Sequence, residues 1–160
     1  MIHINIICIG KIKEDFFRNA IQEYSKRLSK YCVLNIIELP DEKIPLNINE
    51  KNINIIKQKE SERMKNQIKK GSYTICLDLK GKEFSSEQFA ENINSLSINN
   101  ISTINFIIGG SLGISNELLE FADQKICFSK LTFPHQLIRV FLLEQLFRSF
   151  KILNGETYHR

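Results

Sequence analysis

No stretch of this sequence is both long enough and apolar enough to span a bilayer. The first apolar run stops at Gly10 and gives way to Lys11, Lys13, Glu14 and Asp15, which argues against a secretory leader. No two of the four cysteines, Cys8, Cys32, Cys76 and Cys127, have the close spacing of a zinc site or a redox pair. Each sits in an apolar run, so buried free thiols, no metal, no membrane and a cytoplasmic location are expected. Repeats and internal linkers are missing too, and the Asn and Ile richness of NINEKNINII is compositional bias. The charge excess is small: a net +4 favours an anionic partner such as RNA without requiring one.

What is present is one globular domain over residues 1–160, with 42% hydrophobic and 25% charged residues. IHINIICIG is β-branched and stops at a glycine, which predicts a strand. EDFFRNAIQEYSKRLSK then places Phe16 or Phe17, Ala20, Ile21, Tyr24 and Leu28 on one helical stripe. CVLNIIELP predicts a second strand closed by Pro40, and residues 41–49, broken by Pro45, a surface loop. A polar helix follows over 50–70, stopped at Gly71, then the apolar strand YTICLDLKG. Ser85 or Ser86 opens a helix to about Leu96, TINFIIGG is the fourth strand, SNELLEFADQ a short helix and KICFSK the last strand. The final helix runs from Pro134 to about Leu153 and stops at Gly155. Alternation throughout predicts an α/β fold with a mostly parallel sheet flanked by helices.

In such a sheet, ligands bind beyond the carboxyl ends of the strands, where FIIGGSLGISNEL falls. No lysine followed by Ser or Thr comes after Gly113, which makes a phosphate loop a weak reading. A dinucleotide fingerprint belongs on the first strand, whereas this one follows the fourth. By itself the motif is as readily a structural turn as a cofactor site. In FSKLTFPHQLIRVFLLEQLFRSF, a helical wheel of about 100° per residue puts Arg139 among Leu142, Leu143, Leu146, Phe147 and Phe150, with His135 one turn earlier on the same side. A buried arginine needs an anion or carbonyls, so Arg139 either meets substrate or forms an internal ion pair. Leu137, Ile138, Phe141 and Ile152 lie off that stripe and leave a second greasy side, which predicts an isologous homodimer.

GKIKE, PDEK, LDLKGK, IGGSLG, FSKLTFPHQLIR and the terminal GETYHR together resemble the SPOUT-class RNA methyltransferases, specifically the family that methylates N3 of a pseudouridine in bacterial 23S rRNA. The resemblance covers essentially the whole chain and implies a C-terminal trefoil knot, S-adenosylmethionine as cofactor and the assembled ribosome as substrate. It implies a cofactor pocket with Leu77 in one wall, Gly109 in the second, and Phe128, Ser129, Lys130, Leu131, Thr132 and Phe133 in the third. Leu112 stands where polar or charged residues are common in that family. Catalytic candidates are His135 and His159 for handling the N3 proton, Arg139 for a developing negative charge, and Tyr158 for orienting the base. The resemblance further implies that the Tyr158–Arg160 tail reaches towards an active site completed by the partner subunit. Three other readings stay open: an RNA-binding module without catalysis, a nucleotide-dependent oxidoreductase or phosphotransferase, and a SPOUT enzyme with another RNA target.

Overall fold

A computed structural model describes residues 1–160. The elements are β1 (Ile2–Ile9), α1 (Asp15–Leu28), β2 (Cys32–Leu39), α2 (Glu50–Lys65), β3 (Tyr73–Glu83), α3 (Ser86–Ile98), β4 (Thr103–Ile108), α4 (Asn116–Phe121), β5 (Gln124–Cys127) and α5 (His135–Leu153). The five strands form one sheet in the order β2-β1-β4-β3-β5, and every pairing is parallel.

Alternate residues of the central strands feed two cores, as a sheet covered on both faces requires. Ile4, Ile6 and Cys8 of β1 join Ile104, Phe106 and Ile108 of β4 in the larger core, beneath Leu28, Phe89, Ile93, Leu142 and Leu146 from α1, α3 and α5. Ile7, Ile9 and Ile107 point the other way, against Met64 of α2 and Leu118 of α4. All four cysteines are buried free thiols. Burial pushes Cys8 and Cys32 up to about 11 and Cys76 up to about 12, so none of these three is a reactive thiolate near neutral pH. No helix is long and apolar enough to cross a membrane.

Several boundaries differ from the sequence reading, each for a local reason. α2 stops at Lys65, because the N–H groups of Gln67 and Ile68 bond back three residues and Ile68 packs onto the smaller core. Gly71, at φ +84°, completes the reversal. β5 ends at Cys127, two residues before Ser129 accepts at its carbonyl from the Cys127 thiol and at Oγ from Leu131 N–H. Pro134 caps α5 from outside the first turn. The predicted capping serine of α3 is Ser85, in a reciprocal box with Gln88.

A polar seam crosses the sheet on the α2 side. Asn35, Asn5 and Asn105 stand in register on β2, β1 and β4, and each amide donates to the next, Asn35 to Asn5 at 3.1 Å and Asn5 to Asn105 at 2.9 Å. Asn105 is fully buried and donates onward to Ser72 Oγ at 2.7 Å. Asn105→Ala leaves the Asn5 amide without its acceptor, and a loss of about 1–3 kcal/mol in urea unfolding is expected. A loss below about 0.5 kcal/mol would show that the seam sets register without stabilising it.

Candidate active site

Three strand ends meet at the carboxyl edge of the sheet around a cavity of about 480 Å³, within the usual range for a small-molecule pocket. Leu77, Asp78, Leu79 and Lys80 come from β3, Ile108 and the 109–114 loop from the end of β4, and Ile126 to Ser129 with Leu131 to Phe133 from the end of β5. His135 and Ile138 close it from α5. The floor is apolar, made by Leu77, Ile108, Ile114, Leu119 and Ile126. Backbone groups and short polar side chains form much of the rim.

The glycine loop owes its composition to its own closure. Gly113 N–H donates to the Gly110 carbonyl at 3.0 Å, and the two residues form an isolated antiparallel bridge. A Cβ on Gly109 would lie 2.9 Å from the Gly113 carbonyl carbon and from Ile114 Cγ1. Gly113 has φ +90°, a conformation other residues seldom adopt. Both readings of the motif therefore hold: it is a tight turn, and it is a pocket wall. Its far end is anchored by Ser115, whose N–H donates to Ser61 Oγ of α2 and whose hydroxyl caps Leu118 N–H.

β3 contributes through an irregularity that the sequence only hinted at. Ile126 of β5 pairs with Leu77 and again with Lys82, so Asp78–Gly81 bulge out between two pairings with the same strand. The Asp78 carboxylate accepts from Lys80 N–H at 3.2 Å and shapes that bulge. Gly81 approaches β5 so closely that a Cβ would lie 2.6 Å from the Ile126 carbonyl carbon.

Of the twelve residues singled out in the sequence, Leu77, Gly109, Phe128, Ser129, Leu131, Thr132, Phe133 and His135 line this one cavity. Lys130 points its side chain away, 88% exposed and 3.9 Å from Glu83. Arg139 stands behind the cavity wall at 1% exposure. Its Nη1 donates to Glu38 Oε2 at 2.8 Å, and its Nη2 to the carbonyls of Ile9 and Gly10, each at 2.8 Å. The internal ion pair is the arrangement the fold adopts. Glu38 was missed, although an acidic residue near the end of an apolar strand was a signal that a buried arginine elsewhere needs an anion.

The tail lies elsewhere on the same chain. Tyr158 donates to Glu144 Oε2 at 2.8 Å and packs edge-on against Phe147. His159 lies between Arg148 and Glu87, at 3.1 and 2.7 Å. Neither touches the cavity, since Glu144, Phe147 and Arg148 belong to the later turns of α5 and His135 to its first. A second hollow of about 830 Å³ adjoins the first and shares Gly110, Ser111, Leu112 and His135 with it. His135 thus stands between the two. Its pKa is lowered, first by burial and then by the Arg139 cation, against smaller opposing pulls from Asp41 and Glu14. Both of the larger effects disfavour the charged imidazolium. No group of three or more His, Cys, Asp or Glu side chains is arranged to hold a metal ion.

Comparison with known proteins agrees with this architecture. The family model described as "Predicted SPOUT methyltransferase" matches residues 2–159. A protein of Clostridium botulinum (strain Kyoto / Type A2) named "Ribosomal RNA large subunit methyltransferase H" is 56% identical over 158 residues, covering 99% of both chains. Its namesake in Clostridium acetobutylicum is 52% identical over the same length and coverage. Among solved structures, a probable methylase family protein from Haemophilus influenzae Rd KW20 shares the fold at a TM-score of 0.57 and 11% identity, over 98% of this chain and 70% of that one. With its glycine loop closing a pocket at three strand ends and a family match over nearly its full length, this chain belongs to the SPOUT methyltransferases.

Proposed function

We propose that this protein is an S-adenosylmethionine-dependent methyltransferase that methylates N3 of a pseudouridine in 23S rRNA, acting in the cytoplasm as a homodimer on the assembled ribosome. The observation that carries the reading is the single cavity lined by segments from β3, β4 and β5, in a chain more than half identical to proteins named as large-subunit rRNA methyltransferases.

The residues present suit the cofactor. The apolar floor takes an adenine, and the Gly109–Gly113 and Phe128–Phe133 backbones offer hydrogen bonds to its edges and to the ribose. Asp78 on the rim complements a cationic sulfonium, while Lys57 and Lys80 complement a carboxylate. When bound, S-adenosylmethionine supplies an electrophilic methyl group. The chain's own task is to hold the target nitrogen in line with that methyl and to exclude water. Arg139 positions the β1 end and His135 without reaching the base itself. The trefoil knot that the family resemblance implies belongs to this reading.

Dimerisation accounts for two features. Leu131 is 70% exposed, and Leu79 and Phe133 are exposed beside it on the pocket rim, an apolar surface that a second copy would cover. The tail is remote from its own chain's cavity, which is compatible with the resemblance's implication that Tyr158 and His159 serve the partner's pocket.

Calorimetric titration of the purified protein should show binding of S-adenosylmethionine and none of ATP or NAD. Binding of ATP or NAD in its place would overturn the methyltransferase reading. A chain ending at Gly155 should still bind the cofactor but lose at least about 10²-fold in methylation of ribosomes that lack the modification, an effect of the size seen when a catalytic positioning contact is removed. Undiminished methylation by that chain would remove the tail from the mechanism.

A further inference from the structure

His135 occupies the first turn of α5 and Arg139 the next, with Arg139 Nη2 3.5 Å from His135 Nδ1. A guanidinium has only N–H donors and keeps its charge, so it cannot accept a proton from the imidazole. Nor can it move aside. Its Nη1 is held by Glu38 Oε2 and its Nη2 by the Ile9 and Gly10 carbonyls. Glu38 is itself fixed, because Oε2 also accepts from Ile12 N–H at 3.0 Å.

We propose that Glu38, acting through Arg139, fixes His135 as its Nε2–H tautomer, so that the imidazole meets the substrate base as a hydrogen-bond donor and not as the proton acceptor. The inference rests on the methyltransferase reading for its substrate and on the geometry alone for its tautomer.

A proton on Nδ1 would direct an N–H dipole at the Arg139 cation, whereas the Nδ1 lone pair facing that cation is favourable. The ring proton therefore resides on Nε2. To act as a base at Nε2, His135 would first have to shift that proton to Nδ1, towards Arg139. Acceptance at Nδ1 itself is blocked by the guanidinium. An imidazolium would also stand beside a fixed positive charge, in a half-buried place with only Asp41 and Glu14 to offset it. As a donor, the ring has a clear task. N3 of a pseudouridine is flanked by two carbonyls, and negative charge spreads onto their oxygens as N3 loses its proton. An Nε2–H directed at one of them stabilises that charge when it develops. N3 would lose its proton to bulk water before the base is enclosed and would then bond to the methyl group, whose former bond to sulfur would break with its electron pair left on sulfur. Glu38 and Arg139 are positioning residues in this account, and His135 is the residue that touches substrate.

Long-range ¹H–¹⁵N NMR of uniformly labelled wild-type protein at neutral pH reads the tautomer without any substrate. A protonated Nε2 with a bare Nδ1 is expected, and Glu38→Ala should convert it to a mixture of the two tautomers. An Nδ1–H form or a doubly protonated ring in the wild type would overturn the proposal, as would an unchanged spectrum in Glu38→Ala. Activity supplies the second arm. His135→Gln places an amide N–H near the position of Nε2 and cannot act as a base, so methylation of unmodified ribosomes should stay within about tenfold of wild type, while His135→Ala falls by about 10²-fold. Equal losses in both variants would defeat the donor role. Absence of methyl transfer by the wild-type enzyme would instead overturn the rRNA assignment and leave the NMR result standing.

Discussion

Arg139→Ala is expected to lower the free energy of unfolding by about 3 kcal/mol or more, read from urea denaturation of the purified protein. The size follows from what remains after truncation. The Glu38 carboxylate would lose its cation, and the carbonyls of Ile9 and Gly10 would lose donors at the end of the central strand β1. Truncation would also open a cavity among α5 side chains that are fully buried. Glu38 is 34% exposed, so water compensates part of its loss, which places the expectation at the lower end for a broken buried pair. Replacing both partners tests the account further. Arg139→Met with Glu38→Gln should recover part of the stability, because an apolar or neutral pair carries no uncompensated charge. If Arg139→Ala unfolds within about 1 kcal/mol of wild type, the network does not hold the strand ends together, and a role on substrate becomes the better account of the arginine.

Gly81→Ala should be more damaging still. The added carbon would sit 2.6 Å from the Ile126 carbonyl carbon and 2.7 Å from its nitrogen, atoms of a strand backbone that cannot rotate away as a side chain does. Separating the bulge from β5 would break the pairings of Lys82 and Glu83 and spread the pocket wall that carries Leu77 to Lys80. A loss of about 3 kcal/mol or more is expected, together with loss of S-adenosylmethionine binding in calorimetry. Gly71→Ala provides the contrast. That glycine has a positive φ but open space around it, so the cost should be the local backbone strain of about 1 kcal/mol, with cofactor binding intact. Equal behaviour of the two variants would show that close approach at Gly81 does not matter.

Much of this architecture was legible in the amino-acid sequence because local signals agree with the fold. The apolar runs in β1, β3 and β4 are the mark of strands covered on both faces, and serine caps mark the starts of α3 and α4. The three walls of the pocket could be named because several short motifs in order resemble one family; the glycine turns alone marked only a strand end. Other properties depend on contacts far apart in sequence. Nothing near Arg139 indicates that its anion is Glu38, 101 residues earlier. The bulge at Asp78–Gly81 exists because β5 returns to the same strand, which no periodicity encodes. Lys130 was placed in the pocket by its neighbours in the motif, yet its side chain turns outward towards Glu83. The tail was associated with the active site by resemblance, whereas within one chain Glu144, Arg148 and Glu87 hold it at the opposite end of α5.

The way β5 is paired has a consequence for the order of assembly. Its four residues form the edge strand and pair with β3 before and after the Asp78–Gly81 bulge, and the pocket's third wall follows directly from them. The cavity is therefore finished only when the last strand and α5 have docked onto a sheet whose other four strands come earlier in the chain. A ligand of that cavity binds the completed state alone, so its binding free energy opposes release of this terminal unit before it opposes global unfolding. Cofactor supply then acts as a clamp on the part of the sheet that comes last in the chain, and slowed amide exchange in residues 124–153 on adding ligand is the signature of that linkage.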